Sequence, residues 1–215
     1  MIIEQIMEKN VLSLTPEDSI STALNILKQN KIRHIPITTK NRILVGIVSD
    51  RDIRDAMPSS LLSEPYESSI FQKQLKDIMK TEVITVHPLN FVEEAAAIFY
   101  EKKIGCLPVI KHGKLVGIIT ESDVLYTFVQ LTGVHQPSSR IEVRVPNKAG
   151  MLSEVSAIFH KKSVNISSVL VYPDKDEQYK ILVYRVQTMN PMGVVKELQE
   201  NGYTVLWPNI PGMLT

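Results

Sequence analysis

The sequence predicts a chain of the α/β (α+β) class, with two copies of a strand–helix–strand–strand–helix unit ahead of a smaller ferredoxin-like βαββαβ domain. Two observations carry this prediction. Apolar, Pro and Gly positions of the first part recur about 72 residues later. Beyond residue 139 a new pattern begins, in which alternating and helical periods follow one another in the order βαββαβ.

Length and charge narrow the function classes before any motif is read. At 215 residues the chain is expected to hold two domains rather than one. Lys and Arg number 24 against 23 Asp and Glu, so no global field draws the chain to DNA or to an anionic membrane. An anionic ligand must be held by a local site. The longest apolar runs, such as Leu44 to Val48 and Leu115 to Ile119, are strand-sized and too short to cross a bilayer. The start Met1-Ile2-Ile3-Glu4 lacks the pattern of an export signal, and a lone Cys106 forms no intramolecular disulfide. Both readings fit a cytoplasmic protein.

The repeat sets the elements of the first part. Ile6-Met7 recurs as Ile78-Met79, Val11 as Val83, Pro16 as Pro88 and Pro36 as Pro108. Ile20, Ala23, Leu24 and Leu27 recur as Val92, Ala95, Ala96 and Phe99, the buried stripe of an amphipathic helix. After the prolines the offset drops by one residue, because the turn Thr39 to Arg42 is longer than its partner around His112-Gly113. Each unit then reads as a short strand (Val11 to Leu14; Val83 to Val86), a helix, a strand through Pro36 or Pro108, a turn, a strand (Leu44 to Val48; Leu115 to Ile119) and a closing helix. Ser49 or Asp50 caps that helix in the first copy and Thr120 in the second. The units span 1–57 and 76–133. The Ser-, Glu- and Pro-rich connector, 58–75, is expected to be an exposed loop with at most one helical turn.

One unit alone buries only part of its strand faces, so the copies are expected to pack sheet to sheet as a pseudo-twofold pair with two related clefts. A strand that ends at Ser49 or Thr120 and turns into a helix is expected to leave N–H groups and a positive dipole end for a phosphate. An Asp three residues on, Asp52 or Asp123, lies one turn inward, where its oxygens can accept both hydroxyls of a ribose. The alternative stands beside it: Ser, Thr and Asp at a helix start are also ordinary caps.

The hydrophobic-x-Pro strand followed by Gly46-Ile47-Val48-Ser49-Asp50-Arg51-Asp52, and again by Gly117-Ile118-Ile119-Thr120-Glu121-Ser122-Asp123, resembles the signature of CBS domains over roughly the first 130 residues. One such motif is weak, but two at matched places in a repeat are strong. The resemblance implies a CBS-domain pair (a Bateman module) that takes an adenine nucleotide such as AMP, ADP or ATP as a regulatory ligand. It places the ribose on Asp52 or Asp123, and the adenine between the first strand, near Thr15 or Thr85, and the residue before the proline, Ile35 or Leu107. The candidate binding residues are Thr15, Arg33, His34, Ile35, Pro36, Ser49, Asp50, Arg51 and Asp52 in the first copy. In the second they are Thr85, Cys106, Leu107, Pro108, Thr120, Glu121, Ser122 and Asp123.

The copies differ where charge matters. Arg33-His34 becomes Gly105-Cys106, and Arg51 becomes Ser122. Arg offers a forked set of donors, so the cleft with Arg33, His34 and Arg51 is the better candidate for a polyphosphate. Cys106 reads as a small buried residue, not a nucleophile. Asp50 with Asp52, and Glu121 with Asp123, are spaced i, i+2 on helices and do not face each other, which argues against an acid/base pair.

A polar linker, 134–138, leads to the last domain, 139–215. Ile141 to Val145 alternates as a strand, Leu152, Val155, Ile158 and Phe159 have helical spacing, and Val164 to Val171 and Lys180 to Val186 are β-rich. A helix Met192 to Glu200 stops at Asn201-Gly202 before the strand Thr204 to Trp207. Val143-x-x-Pro146-Asn147-Lys148-Ala149-Gly150-Met151-Leu152, with Asn165-Ile166 after the helix, resembles the ACT domain; a second proline usual before the glycine is Ala149 here. The resemblance implies an amino-acid site at subunit contacts, formed by Asn147, Gly150, Met151, Leu152 and Asn165, or dimerisation without a ligand, which is the preferred reading. Trp207 reads as a packing anchor.

Two CBS copies with an ACT module resemble the acetoin-utilization family of spore-forming bacteria. This implies a non-catalytic, homodimeric regulator that signals to a metabolic partner enzyme in acetoin or acetate metabolism. No HExxH, CxxC pair, P-loop or Gly-x-Ser-x-Gly elbow is present, so no catalytic residue, metal site or catalytic cofactor is expected. The rival readings are an enzyme acting on a nucleotide or acyl-CoA, an amino-acid-responsive dimerisation module without nucleotide, and a DNA-binding regulator, which lacks its basic recognition helix.

Overall fold

The structure, a computed structural model, describes residues 1–56 and 72–208. Most of the expected connector, including the whole of 58–71, lies outside the described residues, as does 209–215. The chain forms two compact units, Met1–Leu125 and Tyr126–Thr215.

In the first unit the two copies share one plan. The first has α1 (Ile20–Asn30), a hairpin of β1 (His34–Thr38) and β2 (Leu44–Ser49), and α2 (Asp50–Ala56). The second has α3 (Val92–Lys102), a hairpin of β3 (Cys106–Lys111) and β4 (Lys114–Thr120), and α4 (Glu121–Thr132), whose residues from Tyr126 on are counted in the second unit. The expected stripe is the buried one: Ile20, Ala23 and Leu27 on α1, and Val92, Ala95 and Phe99 on α3. Ser19 caps α1 by accepting a hydrogen bond from the Thr22 amide at 3.2 Å. Both helices end on a left-handed lysine, Lys31 (φ 53°) and Lys103 (φ 54°). The β3–β4 turn has positive φ at both His112 and Gly113, the backbone of a two-residue hairpin loop that follows the strand twist.

Two expectations are corrected. The expected first strands, Val11 to Leu14 and Val83 to Val86, are reduced to single parallel bridges, Leu14 to Ile37 and Val86 to Val109. Nor do the copies merely pack on each other: they exchange their leaders. The 3-10 turn Ile3–Gln5 and the following Ile6 and Met7 pack into the second copy's core, against Val86, Phe99, Leu107 and Ile119. The matching turn Leu75–Asp77, with Ile78 and Met79, packs into the first copy's core against Ile20, Leu27, Ile35 and Val48. Glu8 bonds its backbone to Ile118 of β4, and Lys80 bonds its backbone to Ile47 of β2. A short unit cannot cover its own strand faces, and a reciprocal exchange buries both at once.

The exchange also explains the prolines. Ile47, opposite Pro36, spends its N–H and C=O on Lys80, so Pro36 is not needed as a donor to it. Its carbonyl faces the other way and accepts from the Leu14 amide at 3.2 Å. Pro108, between Ile118 and Val86, repeats the arrangement.

The second unit is a four-stranded antiparallel sheet in the order β6-β7-β5-β8, built from β5 (Ser139–Pro146), β6 (Ile166–Pro173), β7 (Tyr179–Val186) and β8 (Thr204–Trp207). Helices α5 (Met151–Lys161) and α6 (Met192–Glu200) complete the expected βαββαβ order. Ile141, Val143, Val145, Leu182, Tyr184 and Val186 form the sheet side of the core, and Met151, Val155, Ile158, Phe159, Val194, Val195 and Leu198 the helix side. Leu152 is not in the buried stripe: it is 43% exposed and Met151 takes the inward place. Trp207 is 51% exposed, so it is not a buried anchor.

Candidate functional site

A cleft of about 490 Å³ lies in the first unit. The first copy lines it with Arg33, His34, Ile47, Ser49, Asp50, Arg51, Asp52 and Arg54, the second with Lys80, Glu82, Val83, Ile84, Lys103, Ile104, Gly105, Cys106 and Glu121. Thr15, Ile35, Pro36, Thr85, Leu107, Pro108, Thr120, Ser122 and Asp123 are not among its lining residues. Ile35 and Leu107 are fully buried in the two cores. Thr15 donates its amide and hydroxyl to Asp18 at 2.7 and 2.9 Å, and Thr85 faces a separate, smaller hollow beside Leu44 and Val45.

The start of α2 differs from the expectation. Ser49 donates its amide (2.8 Å) and its hydroxyl (2.6 Å) to Asp52 Oδ2, while the Asp52 amide donates back to Ser49 Oγ at 3.2 Å. The Asp50 amide is taken by the Arg33 carbonyl at 3.0 Å. These amides are therefore already spent on a capping box and a backbone bond, and are not presented to a phosphate. Thr120 and Asp123 repeat the box, with the Thr120 amide and hydroxyl both 2.7 Å from Asp123 Oδ2.

The other oxygen of Asp52, Oδ1, meets Lys80 Nζ at 2.8 Å, and both residues line the cleft. Burial pushes the Asp52 carboxyl up, but hydrogen bonds from Lys80 and Ser49 outweigh it and hold the group below 3.8. Asp52 is thus an anion near neutral pH. Sequence reasoning missed Lys80 because the exchange that delivers it is a tertiary event. The signal was in the repeat all the same: Lys80 stands at the offset of Glu8, two residues beyond the matched Ile78 and Ile6.

Arg33 and Arg51 make no ion pair among the described residues, whereas Arg54 pairs with Asp50 at 3.1 Å. Lys103 lies over the Tyr100 ring, 4.2 Å from its centre. Cationic donors for an anion are therefore side chains: Arg33, Arg51, Lys80 and Lys103. His34 reaches towards the second copy, and a Cβ on Gly105 would stand 3.0 Å from its Cε1, so the loss of Arg33's counterpart makes room for the ring. Burial first, and Arg33 second, hold the His34 imidazole below 6.5 against the pull of Asp50, Asp52 and Glu121, so it is neutral at pH 7. Burial pushes the Cys106 thiol up to about 12, which leaves it protonated and unreactive. Val83, Ile84 and Ile104 add an apolar wall.

In the second unit the five expected ligand residues do not converge within one chain. Pro146, next to Asn147, pairs with Tyr179 at one end of β7, whereas Ile166, next to Asn165, pairs with Val186 at the other end. Seven residues of strand, roughly 24 Å, separate these ends. Asn147 is bound to the 177–178 turn and Asn165 to Gln187. Gly150 does need its freedom, with φ of 90° at the entry to α5. Among the described residues no group of three or more His, Cys, Asp or Glu is placed to hold a metal ion. Among the described residues no helix is long and apolar enough to cross a membrane.

A doubled hairpin-and-helix unit with exchanged leaders and a polar cleft defines a class, the paired α/β modules. The chain belongs to the CBS domain family, whose model matches residues 3–59 and 75–129, and residues 139–202 match the ACT domain. It is 31% identical to a CBS domain-containing protein of Dictyostelium discoideum over 65% of this chain and 99% of that one. It is 36% identical to an inosine-5'-monophosphate dehydrogenase of Korarchaeum cryptofilum, over 57% of this chain but only 23% of the dehydrogenase. The matching segment thus also occurs within a longer enzyme chain.

Three crystal structures resemble the first unit. One, from Vibrio cholerae, is provisionally named the acetoin utilization protein AcuB (34% identity, TM-score 0.56, 65% of this chain and 98% of that one). A CBS domain pair in complex with 5'-methylthioadenosine and S-adenosyl-L-methionine has 27% identity and a TM-score of 0.52 over 63% and 98% of the two chains. CBSX2 in complex with AMP has 30% identity and a TM-score of 0.52 over 60% and 96%.

Proposed function

We propose that this chain is a non-catalytic regulatory sensor that binds an adenine nucleotide in the Asp52 cleft and signals its presence to a metabolic enzyme. The observation that carries the reading is one cleft that joins an ionised carboxylate, Asp52, to five cationic side chains, Arg33, Arg51, Arg54, Lys80 and Lys103, and an apolar wall. Asp52 Oδ1 accepts the ribose hydroxyls, Arg33, Arg51 and Lys80 take the phosphates, and Val83, Ile84 and Ile104 flank the base. The complexes of similar CBS pairs with AMP and with adenosyl compounds support the ligand class. The similarity to the Vibrio cholerae protein supports acetoin or acetate metabolism as the setting. The ACT domain adds homodimer contacts. Binding shifts the packing of the two copies only as far as the ligand prefers one packing over the other.

Titration calorimetry with AMP, ADP, ATP and S-adenosylmethionine tests the reading. At least one is expected to bind, and Asp52→Ala is expected to abolish binding at this cleft. Undiminished binding in that variant overturns the ribose assignment, and turnover of ATP or acetyl-CoA by the purified protein overturns the non-catalytic reading.

A further inference from the structure

Building on the nucleotide reading of this cleft, we propose that Lys80 makes it select nucleotides over nucleosides: Lys80 pairs with Asp52 and transfers to the phosphate when a ribose takes its place on the carboxylate. A carboxylate has about four acceptor positions. Ser49 occupies two on Oδ2, and Lys80 occupies one on Oδ1. A ribose diol needs two, so the ammonium group must give way.

The lysine is built to do so. Its backbone is fixed to β2 by two hydrogen bonds of 2.9 Å with Ile47, while its side chain is 66% exposed on a flexible stem. A nucleoside that displaces it leaves the ammonium group without its carboxylate and offers nothing in return. A nucleotide offers a phosphate, a stronger acceptor. The two copies differ on this point. Glu8 holds the matching place in the other copy, fixed to Ile118 by two bonds of 3.0 Å, and carries the opposite charge. The side of the module with Asp123 therefore lacks the device.

The test measures adenosine and AMP binding by calorimetry on the full chain, in wild type and in Lys80→Met, Lys80→Gln and Lys80→Arg. The exposed position makes all three compatible with folding. In the Met and Gln variants AMP is expected to weaken roughly tenfold while adenosine binds as well or better, so the preference for AMP shrinks by at least that factor. Arg restores the preference. Equal loss of both ligands, or an unchanged preference in a variant that still binds AMP, overturns the role of Lys80 and leaves the nucleotide reading standing. Failure of wild type to bind AMP or any other adenine nucleotide overturns both.

Discussion

A Cβ added to Gly46 would stand 2.8 Å from Met79 Sδ and 3.0 Å from the Lys80 carbonyl oxygen, so the strand glycine of the first copy is the seat of the second copy's leader. Gly117 holds the same relation to Met7 and to the Glu8 carbonyl, which would lie 3.2 Å from its Cβ. The recurrent glycine of the motif is thus a matter of space. Gly46→Val is expected to destabilise the first unit by about 1–3 kcal/mol, because the backbone carbonyl cannot move aside as the thioether can. Adding Met79→Ala should recover only part of the loss. Urea unfolding followed for the first unit reads both, and an unchanged midpoint in Gly46→Val contradicts the close approach.

The capping boxes are expected to be thermodynamically alike and functionally distinct. Ser49→Ala and Thr120→Ala should each cost about 1 kcal/mol of stability. Only Ser49→Ala should also weaken nucleotide binding, because the Ser49 hydroxyl, which alanine lacks, orients the cleft-lining Asp52 through a hydrogen bond of 2.6 Å. Thermal melts and calorimetry on both variants separate the two effects.

His34 gives the first unit a pH dependence whose sign follows from its depressed folded value. From pH 6.5 down to that value the unfolded chain binds a proton that the folded chain resists, so stability falls with falling pH across the window and is unaffected above it. His34→Gln should flatten the slope below pH 6.5. A slope as steep as in wild type assigns the effect elsewhere.

In the second unit, Glu197 on α6 accepts from Lys161 at 2.6 Å and Lys162 at 2.9 Å at the end of α5. These lysines hold its carboxyl at about 2, below the ordinary 4.5. The contribution is fully present above pH 4.5 and is lost as the pH falls towards 2. Glu197→Gln should lower stability at neutral pH and reduce the further loss on acidification, as melting temperatures at the two extremes would show.

Much of the cleft lining was legible because the repeat exposed its own exceptions. Arg33, His34 and Arg51 stood out against Gly105, Cys106 and Ser122, and all three line the cleft together with Ser49, Asp50 and Asp52. Thr15, Ile35 and Pro36 were expected beside them, yet they lie elsewhere, Ile35 and Pro36 buried in strand β1. The motif identifies which residue types recur, not which copy they face. The opposite wall of the cleft comes from Lys80 to Ile84 and Ile104 to Cys106, delivered by the second copy.

The amino-acid sequence alone was enough for the repeat, the amphipathic stripes of α1 and α3, the order βαββαβ and the charge difference between the copies, because periodicity and steric preference act over a few residues. Tertiary structure decided the exchange of leaders, the ion pair of Lys80 with Asp52, the capping duty of Asp52, and the separation of Asn147 from Asn165. Each of these depends on which surfaces find partners far along the chain, and burial of apolar faces settles that choice only once the whole fold has formed.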